Sequence, residues 1–247
     1  MSSVDVDSKT NTREWLRQSF LKVDDELRKP EGQNAIGDLR RDKPPKKPAI
    51  LNILGEDKDK KGDKPQTNEE MALDSIGCTA NVVFIDKDAK KIYVANSGDS
   101  RCVMGRAGKA VEMSIDHKPD CKTEIDRIEK SGSTITDGRV DGNLNLTRSL
   151  GDLKYKHREH LTPEEQAITA NPDTYEFELT SDIDFILMGC DGIWEKQSNE
   201  EAVKWVYEQI DKQKSEGKKS NLDIDCKQIT EELLLNNIAA DVSSSGK

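Results

Sequence analysis

The stretch FILMGCDGIWEK, residues 185–196, joins an apolar run to an acid at the point where the run ends. Four apolar residues lead into Gly189 and Cys190, and the pair Asp191-Gly192 follows them directly. Such a run predicts a buried β-strand that ends by releasing Asp191 into a turn. An acid fixed at the end of a rigid strand is suited to bind a hard cation through oxygen, although Asp-Gly is also ordinary turn chemistry.

The residues around this stretch alternate between strand-like and helix-like patterns. β-rich runs at 78–86 and 90–97 are separated by a turn and predict a hairpin, and residues 100–113 predict a second hairpin joined at 105–109. Residues 174–179 and 184–190 predict two further strands, with a short helix at 123–130 before them. Asn11 and Ser198 can each cap a helix with an apolar stripe, and residues 229–238 continue as another helix. Strands in the middle with helices at both ends predict an α+β fold, a layered β-sandwich flanked by helices.

The same patterns divide the chain into three parts. Residues 1–31 hold an N-terminal helix that belongs to the main domain and is ended by Pro30. Residues 32–75 are rich in charge and interrupted only by the apolar patch AILNIL, which predicts a charged, flexible insertion. Residues 76–247 form the sandwich core with its C-terminal helices.

Composition excludes several classes of protein. The 247 residues carry a formal net charge of −10, which argues against a nucleic-acid binder because the phosphate backbone needs a basic partner surface. No apolar run approaches the roughly 20 residues that a membrane helix needs, and no signal-peptide pattern opens the chain. Five cysteines without C-x-x-C spacing indicate reduced thiols, so we expect a cytoplasmic protein without membrane insertion.

Two motifs imitate metal sites without their essential ligands. A stretch beginning at Asp57 resembles a calcium-binding loop. However, Lys61 and Asn68 occupy its fifth and twelfth positions, where the loop needs oxygen ligands and, at the twelfth, a bidentate acid. His157 and His160 are three residues apart without the glutamate of a helical zinc signature, and we expect both at the surface.

A second acid, Asp99, follows the strand-like run KIYVANSG in the same manner as Asp191 follows its own strand. Each acid alone favours a simple turn. Both acids, however, belong to an ordered set of motifs: GCTA (77–80), VANSGDSR (94–101), DHKPD (116–120), RVDGNLNLTRSLGDLKYK (139–156) and CDGIWE (190–195). In order and approximate spacing, this set resembles the metal-dependent protein phosphatases of type 2C.

The resemblance implies a fold and a chemistry. The family places two Mn²⁺ or Mg²⁺ ions at the end of a central β-sandwich, where a metal-bound water attacks phosphoserine or phosphothreonine. By motif, Asp191, with Gly192 adjacent, corresponds to a direct ligand of the metal pair. Asp99 corresponds to an acid of a third, weaker metal site.

The sequence also departs from the family pattern. The family's Asp-Gly-His-Gly-Gly motif is absent, because Asp137, Asp141 and Asp191 are each followed by Gly but never by Gly-His. The family's C-terminal Asp-Asn motif is absent as well, so the resemblance implies a domain truncated at both ends, with an incomplete sandwich. We therefore expect a non-catalytic pseudophosphatase or incomplete subunit, docked in a larger assembly whose partner protein covers the open sandwich edges; a cytoskeletal structure is one such assembly. The alternative is an active Mn²⁺- or Mg²⁺-dependent phosphatase acting on a phosphoprotein, with its missing ligands supplied by another chain or lying outside this sequence.

Overall fold

Helix α1 (Thr12–Arg28) begins where the sequence predicts, in a computed structural model that describes residues 11–41, 74–217 and 223–237. The Asn11 side chain accepts a hydrogen bond from the Arg13 N–H at 3.0 Å, which satisfies one of the free amides of the first turn. The helix ends at Arg28, ahead of Pro30. Leu16 and Phe20 are buried on one face, as their spacing predicts.

A second helix, α2 (Pro30–Arg41), corrects the prediction that the chain becomes a loop at residue 32. Pro30 follows the end of α1, as predicted. Its fixed φ and missing N–H also suit the first position of a new helix, which is the position it occupies in α2. The side chain of Gln33 donates to the Leu27 carbonyl at 2.7 Å and ties the two helices together. Residues 42–73 of the predicted insertion, which include AILNIL and the stretch beginning at Asp57, lie outside the described residues.

The remaining elements follow the predicted order closely. The strands are β1 (Gly77–Cys78), β2 (Ala80–Asp86), β3 (Lys91–Ser97), β4 (Arg101–Arg106), β5 (Lys109–Glu112), β6 (Ile135–Thr136), β7 (Arg139–Val140), β8 (Leu150–Gly151), β9 (Asp173–Glu178) and β10 (Ile183–Gly189). The helices are α3 (Lys122–Lys130), α4 (Asp191–Trp194), α5 (Asn199–Ser215) and α6 (Cys226–Asn237). Ser198 caps α5 in a capping box with Glu201, which confirms the predicted start of that helix.

Two three-stranded antiparallel sheets form the centre of the fold. One has the order β2-β3-β9 and the other the order β10-β4-β5, while β1 pairs with β8 and β6 with β7. The facing sides of the two sheets share one buried cluster: Ile92 and Val94 from the first sheet, and Cys102, Met104 and Met113 from or next to the second. This shared core confirms the predicted β-sandwich.

Helices cover the outer face of each sheet. Helix α1 packs on β3 through Leu16, Phe20 and Ala95. Helices α4, α5 and α6 cover the other sheet around Val103, in a cluster that also contains Ile193, Trp194, Ala202, Val203 and Leu233. The result is a helix–sheet–sheet–helix order of layers, an α+β fold as predicted.

The outer edge of β2 is open and carries partly exposed apolar residues. Among the described residues no strand pairs with this edge, because β2 is the first strand of its sheet. Val82 and Phe84 keep 39% of their surface exposed and Ile85 keeps 46%. The edge therefore presents both free backbone groups and apolar side chains to any strand that approaches it.

Two expectations from composition can be compared with the structure. None of the helices in the described part of the chain is long and apolar enough to cross a membrane. All five cysteines are free thiols, in agreement with the expectation of reduced cysteines.

Candidate functional site

The register of two neighbouring strands brings Asp99 and Asp191 to one end of the sandwich. Strands β4 and β10 are antiparallel, and Arg101 of β4 stands opposite Gly189 of β10. Asp99 lies two residues before Arg101, and Asp191 lies two residues after Gly189. The turn that carries Asp99 and the start of helix α4, which carries Asp191, therefore lie side by side at the same end of the two strands. Each acid follows its strand as the sequence predicts, but Asp191 opens a short helix and does not lie in the predicted turn.

The two carboxylates interact electrostatically. Asp99 is buried, at 5% exposure, and Asp191 is partly buried. Burial raises the pKa of Asp99, and the negative charge of Asp191 raises it further, while Lys118 acts in the opposite direction. A cation bound beside Asp99 would offset the effect of the Asp191 charge on it.

Arg101 links the turn of Asp99 to helix α4, which begins at Asp191. The sequence alone gives it no role. Its guanidinium donates to both carboxylate oxygens of Asp116, at 2.9 and 2.8 Å, and to the Asn199 side chain at 2.8 Å. The guanidinium carbon also lies 5.3 Å from the ring centre of Trp194, within the range of a cation–π contact. Trp194 belongs to α4, which begins at Asp191, so one side chain links the strand that follows Asp99 to the helix that carries Asp191.

The turn that holds Asp99 is fixed through its neighbour Gly98. Gly98 has a φ of +117°, and a Cβ at this position would lie 2.5 Å from Cγ2 of Thr79. Only glycine fits such a backbone without strain. Thr79 and Ser100 share a hydrogen bond of 2.7 Å between their hydroxyl groups, which closes the other side of the turn.

A buried ionic network lies behind this turn. Glu124 accepts hydrogen bonds from Arg127, Thr147 and Arg148, and it is 1% exposed. Arg148 also donates to Asp173 at 2.7 Å. Burial raises the pKa of Glu124, but hydrogen bonding from Arg148 and the charges of the two arginines lower it to about 2. The network is therefore charged throughout the neutral pH range and joins α3 to β9.

The other candidate residues have less demanding surroundings. Gly192 is exposed, and an added Cβ would meet only the Cys190 sulfur, at 3.8 Å, so packing does not require glycine there. His157 and His160 are exposed, as predicted.

The donor set was tested against the metal pair that the sequence resemblance implies. Within residues 11–41, 74–217 and 223–237, no group of three or more His, Cys, Asp or Glu side chains is placed to hold a metal ion. Asp116, the third acid near Asp99, has its carboxylate engaged by Arg101 in a bidentate pair. Two divalent ions need more oxygen ligands than Asp99 and Asp191 provide, so the described residues do not fit a complete two-metal centre.

The fold and the site together define an α+β sandwich protein. Two acids, Asp99 and Asp191, lie at the same end of one of its sheets. The family Protein phosphatase 2C matches residues 25–246. The chain belongs to this family and carries a type 2C serine/threonine phosphatase domain, a class whose members depend on metal ions.

Individual relatives agree with this assignment. Protein phosphatase 2C 1 of Paramecium tetraurelia is 41% identical over 221 residues, which cover 90% of this chain and 59% of the relative. Human Protein phosphatase 1G is 45% identical over 179 residues, which cover 72% of this chain and 32% of the relative. The crystal structure of serine-threonine phosphatase 2C from Toxoplasma gondii shares the fold, with a TM-score of 0.53 and 19% identity over 94% of this chain and 66% of that one. The chain spans about half the length of the curated relatives it matches.

Proposed function

We propose that this chain supplies one part of a type 2C metal centre and that, on its own, it does not hydrolyse phosphoserine or phosphothreonine. In this proposal Asp191 is a direct ligand of Mn²⁺ or Mg²⁺, and Asp99 belongs to a weaker neighbouring site. The observation that carries the proposal is that the strand register places both acids at one end of the sheet, while the described residues contain no group of three or more His, Cys, Asp or Glu side chains placed to hold a metal ion. Both ions favour oxygen ligands, and the carboxylates supply the charge that holds them against water.

The shortage of ligands sets the expected activity. Mg²⁺ requires about six oxygen ligands in octahedral geometry, and a pair of ions requires bridging acids between them. Two carboxylates leave most of those positions to water. Without two firmly held ions, neither the attacking water nor the phosphoryl oxygens would be stabilised, and phosphatase activity of the isolated chain would be lost.

The open edge of β2 supports a role as a subunit within a larger complex. A soluble protein seldom leaves an apolar strand edge uncovered, and a partner polypeptide can cover it by adding a strand. We propose that a second protein pairs with β2 along its open backbone edge, beside the partly exposed side chains of Val82, Phe84 and Ile85. Backbone amide exchange on β2 should slow on addition of a co-purifying partner; unchanged exchange in the purified complex would refute this pairing.

A second candidate is an active phosphatase whose remaining ligands come from another chain or lie outside this sequence. It is favoured by the presence of both Asp99 and Asp191 at the same end of the paired strands β4 and β10. The intact mass of the native protein separates the two. A mass of 27.7 kDa would make catalysis depend on a partner chain, whereas a larger mass would favour an active phosphatase.

The direct test is hydrolysis of a phosphothreonine peptide by the 247-residue chain in the presence of Mn²⁺, together with calorimetric titration of the metal. We expect hydrolysis at the rate given by Mn²⁺ alone and, at most, weak binding that Asp191→Asn abolishes. Asp126→Asn is the matched control, since Asp126 is a partly exposed acid on α3 that pairs with Lys122, away from Asp99 and Asp191. Robust turnover that Asp191→Asn removes and Asp126→Asn preserves would contradict the proposal that the isolated chain is inactive.

A further inference from the structure

Gly98, the residue that leads into Asp99, is held through both of its backbone polar groups. The Gly98 carbonyl accepts hydrogen bonds from the His117 N–H and from the Asn96 side chain, each at 3.1 Å. The Gly98 N–H donates to Nδ1 of the His117 ring at 3.2 Å. His117 thus binds the same residue through its backbone and through its side chain, immediately before the candidate metal-binding acid.

The His117 ring has a defined tautomer in this arrangement. Because Nδ1 accepts a hydrogen bond from Gly98, it carries no proton, and the ring proton resides on Nε2. Nε2 lies 3.1 Å from Oδ2 of Asp173, to which it donates. The ring is 3% exposed, so neither nitrogen has access to bulk water as a substitute partner.

Asp173 is itself fixed in orientation. Its other oxygen, Oδ1, accepts a hydrogen bond from Arg148 at 2.7 Å, and Arg148 is held by Glu124 at 2.6 Å. Burial raises the pKa of Asp173, but the hydrogen bond with His117 and the Arg148 charge hold it well below its usual range. Asp173 is therefore a permanent acceptor for Nε2–H, and it stabilises the tautomer that leaves Nδ1 free for Gly98.

We propose that His117 is a positioning residue for Asp99, and that Asp173 keeps it in the tautomer that binds the Gly98 amide. The ring touches neither the site where a metal would be held nor any substrate; it acts through the Gly98 peptide. The functional value of that position rests on the proposed metal role of Asp99, but the hydrogen bonds themselves do not.

Three variants separate this role from simple core packing. His117→Asn keeps a side-chain acceptor on the Gly98 side of the ring, whereas His117→Gln keeps a donor on the Asp173 side. Asp173→Asn tests the tautomer. Arg148 retains the oxygen of the new amide, so its NH₂ faces His117 and requires Nε2 to accept; the ring proton then moves to Nδ1, where it opposes the Gly98 N–H.

The measurement is nitrogen NMR of the 247-residue chain without metal, which contains only three histidines. For the unmodified protein we expect one ring protonated at Nε2, with a coupling across the hydrogen bond between the Gly98 amide nitrogen and Nδ1. Hydrogen exchange of the Gly98 amide should rise about tenfold in His117→Gln and in Asp173→Asn, the loss expected for one hydrogen bond, and should stay near the original rate in His117→Asn. A packing role predicts equal effects of the two His117 variants.

The outcomes remain separable from the proposed function. A ring proton on Nδ1 in the unmodified protein, or equal Gly98 exchange in all three variants, would overturn the positioning role, and the first result needs no variant to fold. Mn²⁺ is then added as a paramagnetic probe. Broadening at Asp99 that weakens in His117→Gln but not in His117→Asn supports both proposals, whereas an intact coupling without broadening at Asp99 leaves the positioning role standing and refutes metal binding at Asp99 by the isolated chain.

Discussion

Replacing Glu124 by Gln should destabilise the fold by about 3–5 kcal/mol, because it removes the carboxylate shared by the buried Arg148 and the partly buried Arg127. Glu124 is 1% exposed and receives hydrogen bonds from Arg148 at 2.6 Å, from Arg127 at 2.7 Å and from Thr147 at 2.6 Å. Gln has nearly the same shape but no charge, so the substitution tests the ionic contribution and leaves packing almost unchanged.

The magnitude follows from what remains after the change. Arg148 keeps Asp173 as a partner, but the other bonds of Arg127 go to backbone carbonyls. Removing one member of a buried ion pair costs about 3–5 kcal/mol, since the remaining charge stays buried without compensation. The pKa of Glu124 falls from 4.5 to about 2 in the folded protein, which corresponds to roughly 3 kcal/mol of stabilisation of the charged form. The two estimates agree.

Urea denaturation followed by far-UV circular dichroism measures the effect. Asp126→Asn is the control on the same helix, because Asp126 forms an exposed pair with Lys122, whose side chain is 86% exposed, and should cost less than about 1 kcal/mol. A loss of less than about 1 kcal/mol in Glu124→Gln would refute the argument, because the network would then contribute no more than an exposed ion pair.

Acid should destabilise the protein in a way that depends on Glu124. Its folded pKa of about 2 lies below the unfolded value of 4.5, so its contribution is fully present above pH 4.5 and is lost as pH falls through 2; urea midpoints between pH 7 and pH 2 should fall less steeply in Glu124→Gln, and parallel curves would count against the assignment. Gly98→Ala should cost at least about 2 kcal/mol, because both the positive φ and the approach to Thr79 oppose a Cβ, whereas Gly138→Ala, at φ +70° in open space, should cost only about 1 kcal/mol; equal urea midpoints for the two variants would exclude the steric part. Ser198→Ala should cost about 1 kcal/mol through loss of the α5 cap, and a stability equal to that of the parent would mean that the capping box contributes nothing.

Local patterns predicted the parts of the fold whose partners are close in sequence. The hairpins β2–β3 and β4–β5 were evident because a turn separates two strand-like runs, and the caps at Asn11 and Ser198 marked two helix starts. Helix α2 is not evident from the sequence because Pro30 also marks the end of α1. Proline restricts the chain before it more strongly than the chain after it, so a helix that starts at the proline itself is compatible with the same residue.

The candidate site was predicted residue by residue but not as an arrangement. Asp99 and Asp191 stood out because each follows a strand, yet their adjacency depends on the register of β4 against β10, which lie far apart in the sequence. His117 lies in a motif that the sequence resemblance had already marked, but no local rule shows that its ring binds Gly98 and Asp173. Roles of this kind are set by long-range contacts between buried polar groups, for which periodicity carries no signal.

Trp194 gives the molecule an intrinsic fluorescent label in the helix that begins at Asp191. The indole N–H donates to the Gly189 carbonyl at 2.7 Å, and the ring faces Arg101, so its emission depends on the strand end and on the start of the helix that carries Asp191. The chain has three tryptophans, and conversion of Trp15 and Trp205 to Phe would leave this one as the sole tryptophan. Fluorescence of such a protein would follow any rearrangement beside Asp191 in real time, without a dye, a tag or a chemical substrate.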